Sequence, residues 1–513
     1  MKKASMKRLR FGGTALAITL LVVCAAVLLN VIASMLAARY DWMYLNMNTD
    51  TVYSISEDCR DYIKEYVVPE VDRANAEQAT DRKIRIIFAD TERNIKADER
   101  LSQIYDSIAE LKEAFPQYIE TAHINIWEDP SGAREYGISS VGDIVCEFGS
   151  RYETVNFEDF YLTDPADPSV AVAYNGEKIL ASCLMRVTQE NTPNCYFTVN
   201  HGEDVNNTAL MRIMIEAGYN VNFLDLSEKE IPADCELLVT YDPERDATVS
   251  GGGRGEIEKL DEYMLGGGRY MVFISADTFA AGAHENFEAL LEDWGVKFMH
   301  KTSADGIEQS YLIRDTQNSL SVDGYTVMAR NATDGRGVNA LSHANYPCVF
   351  GNSTCIEFAG GFTSDGNGNM YKTQNGATKT VSPLLITHES AQAWMGGIAV
   401  ARADEDPFTL MSMTSCESER GKGYLVACAS TDFASQERLG AAVLGNGRAI
   451  TEIIRYMGRD NAPSSIMFKS FGGSEIESLT TSVANTYTLL LALVPTLAVA
   501  ACGIVILVRR KHL

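Results

Sequence analysis

The chain is poor in cysteine, proline and tryptophan, with 11 Cys, 13 Pro and 4 Trp in 513 residues. So little cysteine excludes a disulfide scaffold, and no Cys-x-x-Cys occurs. Positive charge is also scarce. Lys and Arg number 44 against 69 Asp and Glu, a formal net charge of −25. A general nucleic-acid binder needs a basic face for phosphates, so no nucleic-acid partner is expected. Gly-x4-Gly-Lys-[Ser/Thr], the loop that cradles nucleotide phosphates, is missing. Gly421-Lys422-Gly423 lacks both the upstream glycine and the hydroxyl residue, so ATP would be bound by a separate subunit. No Gly-x-Ser/Cys-x-Gly elbow offers a nucleophile. The seven His are scattered, with none at ligand spacing, so neither a metal nor any other cofactor is expected. The apolar fraction of 46% is too high for a wholly disordered chain.

The apolar residues are concentrated at the two ends. Gly12 to Ala38 and Tyr487 to Val508 carry no charge. At about 1.5 Å per residue each run reaches the roughly 30 Å hydrocarbon core of a bilayer. Pro495 would kink the second run, which a membrane helix tolerates when neighbours satisfy the freed carbonyl. The first run is longer than a signal-peptide core and lacks a clean Ala-x-Ala end, so it reads as an anchor. Lys2, Lys3, Lys7, Arg8 and Arg10 precede it, and Arg509, Arg510 and Lys511 follow the second run. Positive flanks stay on the cytoplasmic side. The expectation is a two-pass protein of the cell membrane, both termini cytoplasmic, with a large extracytoplasmic domain. Setting those eight residues aside leaves 36 Lys and Arg against the 69 acids, so the outer part carries about −33.

Between the runs, periodicity predicts two α/β segments. Lys83–Ala89 reads as a strand. Asp98–Phe115 has helical spacing, with Leu101, Ile104, Ile108, Leu111 and Phe115 on one face. Thr121–Trp127 reads as a strand, and Asp143–Phe148 with Arg151–Val155 as a hairpin. Strand, helix, strand, short helix and hairpin is a thioredoxin-like order. Where a redox protein would carry its cysteine pair stands Asp90-Thr91-Glu92-Arg93, so the module is expected to be redox-inert. Farther on, strands at Cys195–Val199, Tyr219–Leu224, Cys235–Thr240, Arg269–Ile274 and Gly423–Ala429 alternate with helices at Thr208–Ala217, Glu256–Leu265 and Arg448–Met457. That alternation implies a parallel sheet covered on both faces. Ile307–Thr380 is rich in Gly, Asn and Thr and reads as a β or loop insertion. Nine Cys lie between the runs, expected as buried thiols, with Cys348 and Cys355, by their proximity, the pair expected if any disulfide forms.

The motif order then resembles a family. His201-Gly202-Glu203 closes a strand. Gly218-Tyr219-Asn220-Val221 and Ile231-Pro232-Ala233-Asp234-Cys235-Glu236-Leu237-Leu238-Val239 follow. Gly266–Gly268 precedes a strand, then come Ser430-Thr431-Asp432-Phe433 and Gly445-Asn446 before a helix. With an anchor at each end, this is similar to the GldG-like, gliding-motility-associated auxiliary subunits of ABC transport systems. Asn200 stands where the family usually shows Gly before His-Gly-Glu. The resemblance implies an α/β ectodomain between two transmembrane helices, a thioredoxin-like module plus a parallel-sheet, amidotransferase-like Rossmann-type domain. The organisation it gives is a tail at 1–11, a membrane helix at 12–38 and the thioredoxin-like module at 39–170. The amidotransferase-like domain takes 171–460 with an insertion at 307–380. A tether at 461–486, a membrane helix at 487–508 and a tail at 509–513 complete it. It also implies ABC ATPase and permease partners and an envelope component, with no catalysis by this chain. The alternatives from the residues are an extracytoplasmic scaffold or sensor, and a surface hydrolase.

Within that fold the carboxyl edge of a parallel sheet is where ligands bind. His201, Gly202 and Glu203 sit at such an edge and are the candidate ligand-binding residues. Gly251-Gly252-Gly253 resembles a phosphate loop only superficially and reads as a turn. No catalytic residue is expected.

Overall fold

A computed structural model describes residues 52–471, apart from 164–166, 168, 250–253, 279–283, 303–307, 333–338, 342–346, 404–405 and 442–443. Both uncharged runs, 12–38 and 487–508, lie outside the described residues, as do both tails and the Gly251–Gly253 stretch. Among the described residues no helix is long and apolar enough to cross a membrane. The described residues from Ile55 on form one unit.

It begins with helix Glu57–Tyr62, a π turn at Ile63–Val67 and helix Val68–Gln78. Strand β1 (Ile84–Phe88) leads to helix α1 (Glu99–Ala114), whose N-cap Asp98 accepts from the Arg100 and Leu101 amides. Leu101, Ile104, Ile108, Leu111 and the following Phe115 are all buried, the face that the sequence spacing indicates. Strands β2 (Ile119–His123), β3 (Asp143–Phe148) and β4 (Arg151–Asn156) complete a sheet of order β2-β1-β3-β4. β1 and β2 are parallel and the other pairs antiparallel. The second strand is displaced from its expected place at 121–127. The five residues of β1 pair with Ile119–His123 and run out there. Asn125 then makes a turn that leaves Trp127 80% exposed.

After β5 (Tyr161–Thr163) and β6 (Ala171–Tyr174) comes helix α2 (Gly176–Thr188). It is buried on nearly every side and packs against both β3 and the next helix. Its charged side chains are paired, Lys178 with Glu216 and Glu177 with Lys469.

The large sheet follows. β7 (Asn194–Thr198), helix α3 (Thr208–Glu216), β8 (Asn220–Leu224), β9 (Cys235–Tyr241), helix α4 (Glu256–Leu265), β10 (Arg269–Phe273) and helix α5 (Glu285–Asp293) alternate as the sequence indicates. Beyond them lie β11 (Thr326–Asn331), β12 (Cys348–Gly351), β13 (Ala377–Ile386), β14 (Thr409–Ser418), β15 (Gly421–Cys428) and helix α6 (Asn446–Tyr456). The order is β12-β11-β13-β14-β15-β10-β9-β7-β8. From β8 to β15 the neighbours are parallel. From β15 to β12 they are antiparallel. The 307–380 region therefore supplies strands that lengthen the main sheet.

Alternation along each parallel strand sends side chains to opposite faces. Leu237, Val239, Met271, Phe273, Val426 and Cys428 pack with Leu210 and Met214 of α3 and with Ile450 and Ile453 of α6. Leu238, Tyr270, Val272, Leu425 and Ala427 pack with Leu260 and Met264 of α4 and with Phe287 and Leu291 of α5. The nine described cysteines are all free and buried. The Cys348–Cys355 pairing is thus corrected: Cys348 opens β12 and Cys355 lies past its end, both as free thiols within one apolar cluster. The stretch expected as a tether from 461 starts as packed chain, with Ala462 and Ile466 buried and Lys469–Ser470 paired to β6.

The Gly445-Asn446 motif has a structural role. Asn446 is fully buried; its Nδ2 donates to the carbonyls of Val349 (2.8 Å) and Phe433 (2.9 Å). Its Oδ1 accepts from the Val349 amide at 3.0 Å. Replacing Asn446 with Ala strands three buried backbone groups. The expected loss in urea unfolding is about 2–4 kcal/mol, and a loss under about 1 kcal/mol would contradict this role.

Candidate functional site

In chain order the parallel strands are β7, β8, β9, β10 and β15, and in space the second, first, third, fourth and fifth. The connection leaving β7 runs through α3 on one face. The connection leaving β9 runs through α4 on the other. The carboxyl ends of β7 and β9 therefore flank the point where the winding reverses, which in open α/β sheets opens a ligand crevice. His201, Gly202 and Glu203 are the loop leaving β7 at that point.

Backbone geometry there is unusual. Asn200 has φ 86°, Gly202 φ 85° and, at the end of β9, Asp242 φ 54°. Asparagine and glycine tolerate this left-handed region best, which explains why Asn can stand at position 200 in place of Gly. A Cβ on Gly202 would approach Glu244 Cβ to 2.7 Å. The two loops are tied together: the Glu244 and Arg245 amides donate to the His201 carbonyl at 2.8 and 2.9 Å. Arg245 Nη2 donates to the Asn200 carbonyl at 2.7 Å.

His201 stands between two carboxylates. Its Nε2 is 3.2 Å from Glu256 Oε2, and its Nδ1 is 3.7 Å from Glu203 Oε1. The Glu203 and Glu256 side chains are 3% and 2% exposed. Glu203 Oε2 also accepts from the His201 amide at 2.6 Å. Glu256 is the first residue of α4, and its Oε2 accepts from the Thr248 amide (2.8 Å) and hydroxyl (2.9 Å). Below lies a chain of buried hydroxyls. Tyr270 donates to Thr240 at 2.8 Å, and Thr240 and Thr198 share a bond of 2.8 Å. These groups border a cavity of about 30 Å³.

The charges respond to this setting. The adjacent Glu203 carboxylate, together with Glu256, outweighs burial and raises the His201 pKa above its ordinary 6.5. Burial pushes Glu203 up, but donors led by His201 hold it below 4.5 overall. Burial, with Glu244, Asp204 and Asp277 nearby, raises Asp242. Burial lowers His284, which lies close enough to feel the His201 charge. Among the described residues no group of three or more His, Cys, Asp or Glu is placed to hold a metal.

The structure thus brings the three candidate residues together at one loop and adds Glu256, Thr198, Thr240 and Tyr270. Nothing in sequence spacing flags Glu256, which is 53 positions beyond Glu203 and joins the site only through the α4 connection. Its one signal is position, as an acid opening the helix that follows β9.

No family model matches the chain, and no curated protein does. Among solved structures, the mmIFT52 N-terminal domain is similar over 52% of this chain and 97% of that one, with 14% identity and TM-score 0.35. PurLQS from Thermotoga maritima is similar over 52% of this chain and 100% of that one, with 11% identity and TM-score 0.28. The Cytoplasmic Protein STM3548 from Salmonella typhimurium gives 54%, 100%, 10% and 0.27 in the same order. Similarity at this level assigns no activity.

The ion pairs set a pH dependence. The raised His201 pKa makes its contribution complete below 6.5 and lost as pH rises through the folded-state value. The lowered Glu203 pKa makes its contribution complete above 4.5 and lost as pH falls through its folded value. Both are complete between 4.5 and 6.5. His201→Gln should cost about 1.5–3 kcal/mol at pH 5.5 and less at pH 8.5, measured against wild type. An equal cost at both pH values would contradict the charge state.

Proposed function

We propose that this chain is a membrane-anchored auxiliary subunit of an ABC transport system. Its extracytoplasmic domain binds a substrate or envelope partner at the β7–β9 crevice without transforming it. The observation that carries the reading is the pair of uncharged runs, 12–38 and 487–508, each with a cluster of Lys and Arg on the side away from the 448 residues between them, against the single Arg39 on the inner side of the first. That arrangement pins both ends of a strongly acidic domain to one membrane.

The finer fold reading accompanies it. The β2-β1-β3-β4 order supports a thioredoxin-like module, and the doubly wound sheet supports an amidotransferase-like, Rossmann-type domain. Binding without chemistry is favoured by the state of His201. Two carboxylates stabilise its imidazolium form, and an imidazolium has no lone pair with which to take a proton from a nucleophile. ATP hydrolysis falls to another subunit, since the sequence has no phosphate loop.

The test is recovery of the tagged full chain from its own membranes in mild detergent. An ABC ATPase and a multi-span permease are expected in near-stoichiometric amounts by mass spectrometry. Recovery of the chain alone at several detergent strengths overturns the reading.

A further inference from the structure

The cavity below His201 is incompletely satisfied. Glu256 is 1% exposed. Its Oε2 takes the Thr248 donors and faces His201, while its Oε1 has no hydrogen-bond partner. A buried carboxylate oxygen without a donor is unfavourable and calls for a missing partner. Glu256 borders the cavity. Tyr270 borders it too, with its hydroxyl hydrogen committed to Thr240 and its lone pairs left to accept. A volume of about 30 Å³ exceeds the roughly 10–15 Å³ that one water needs, yet admits only a small head group.

The surrounding charge selects the sign of that group. Asp204, Asp242, Glu244 and Asp246 lie on the two loops that meet here, with Glu203 and Glu256 inside; the cations on these loops are His201, Arg245 and Arg254, and Arg254 is paired with Glu230 and Glu262. An anion would also find the loop occupied. At a phosphate-binding turn the free amides after the strand point to the ligand. Here the His201 amide already donates to Glu203 Oε2, so the protein's own carboxylate fills that place.

We propose that this cavity receives the ammonium head of a small primary amine, with Glu256 Oε1 and the Tyr270 oxygen accepting its hydrogens. The proposal rests on the crevice being the ligand site and names the class of ligand it takes. The amine is either a free small molecule or the side chain of a lysine-bearing peptide, and the two share this chemistry.

The experiment is thermal unfolding of the full chain in detergent, at constant ionic strength, with methylammonium chloride as probe. Sodium chloride, tetramethylammonium chloride and sodium phosphate are the comparisons. Methylammonium should raise Tm by several degrees in a saturable way, while tetramethylammonium, too large for the cavity, should match sodium chloride. Glu256→Gln should weaken the methylammonium response at least tenfold. A blocked Gly-Lys-Gly peptide replaces methylammonium in a second arm. A tighter response to it assigns the side-chain source, and a weaker one the free amine. The proposal fails if methylammonium behaves as sodium chloride, if tetramethylammonium stabilises equally, or if phosphate stabilises more. Should Glu256→Gln not fold, the wild-type size series decides alone. An ATPase that co-purifies from a chain unmoved by methylammonium would refute this inference and leave the transport reading intact.

Discussion

The parallel pairing of β7 with β9 is the constraint from which the site follows. Once Cys195–Phe197 lies beside Leu237–Val239, their connections must leave toward opposite faces. α3 covers one side and α4 the other. Three residues at the two strand ends adopt positive φ. Those turns place His201 over the sheet edge and deliver the first residue of α4, Glu256, to its far side. Catalysis, binding or mere scaffolding must all start from this geometry.

Charge then narrows what the edge can do. Doubly wound sheets often offer amides at the switch point for phosphates, but this one fills the position with Glu203 and surrounds it with further acids. His201 neutralises part of that charge and in return is stabilised as a cation. The clamp is stiff: the His201 carbonyl holds two amides of the β9 loop, and Asn200 holds Arg245. A preformed arrangement of a cation lined by acids binds with little reorganisation, and its imidazolium has no lone pair to accept a proton.

Much of this was legible before any coordinates. The parallel strands are short apolar runs between glycine- and asparagine-bearing turns, and the amphipathic spacing of α1 marks its buried face residue by residue. His201-Gly202-Glu203 stands out because polar residues directly follow such a strand. Less legible was the 307–380 region. Its strands β11 (TVMARN) and β12 (CVFG) are short and β13 opens with Thr378, Thr380 and Ser382 at alternate positions, so their share of the main sheet is a matter of long-range pairing that local pattern does not encode. β2 was misplaced because its length is set by β1, not by its own apolar content. Glu256 was invisible for the same kind of reason, since a helix start becomes part of a site only through the strand order. Several family-like motifs proved architectural: Asn446 stitches β12 to α6, and the Ser430 hydroxyl holds the Gly351 carbonyl.

The central claim is that His201 is held as a cation between Glu203 and Glu256. Selective ¹⁵N labelling of histidine, with the resonance assigned by its loss in His201→Gln, measures this directly in a pH titration. The account predicts a midpoint above 6.5 and, below that midpoint, protons on both ring nitrogens. A midpoint at or below 6.5, or a single neutral tautomer throughout, would contradict it.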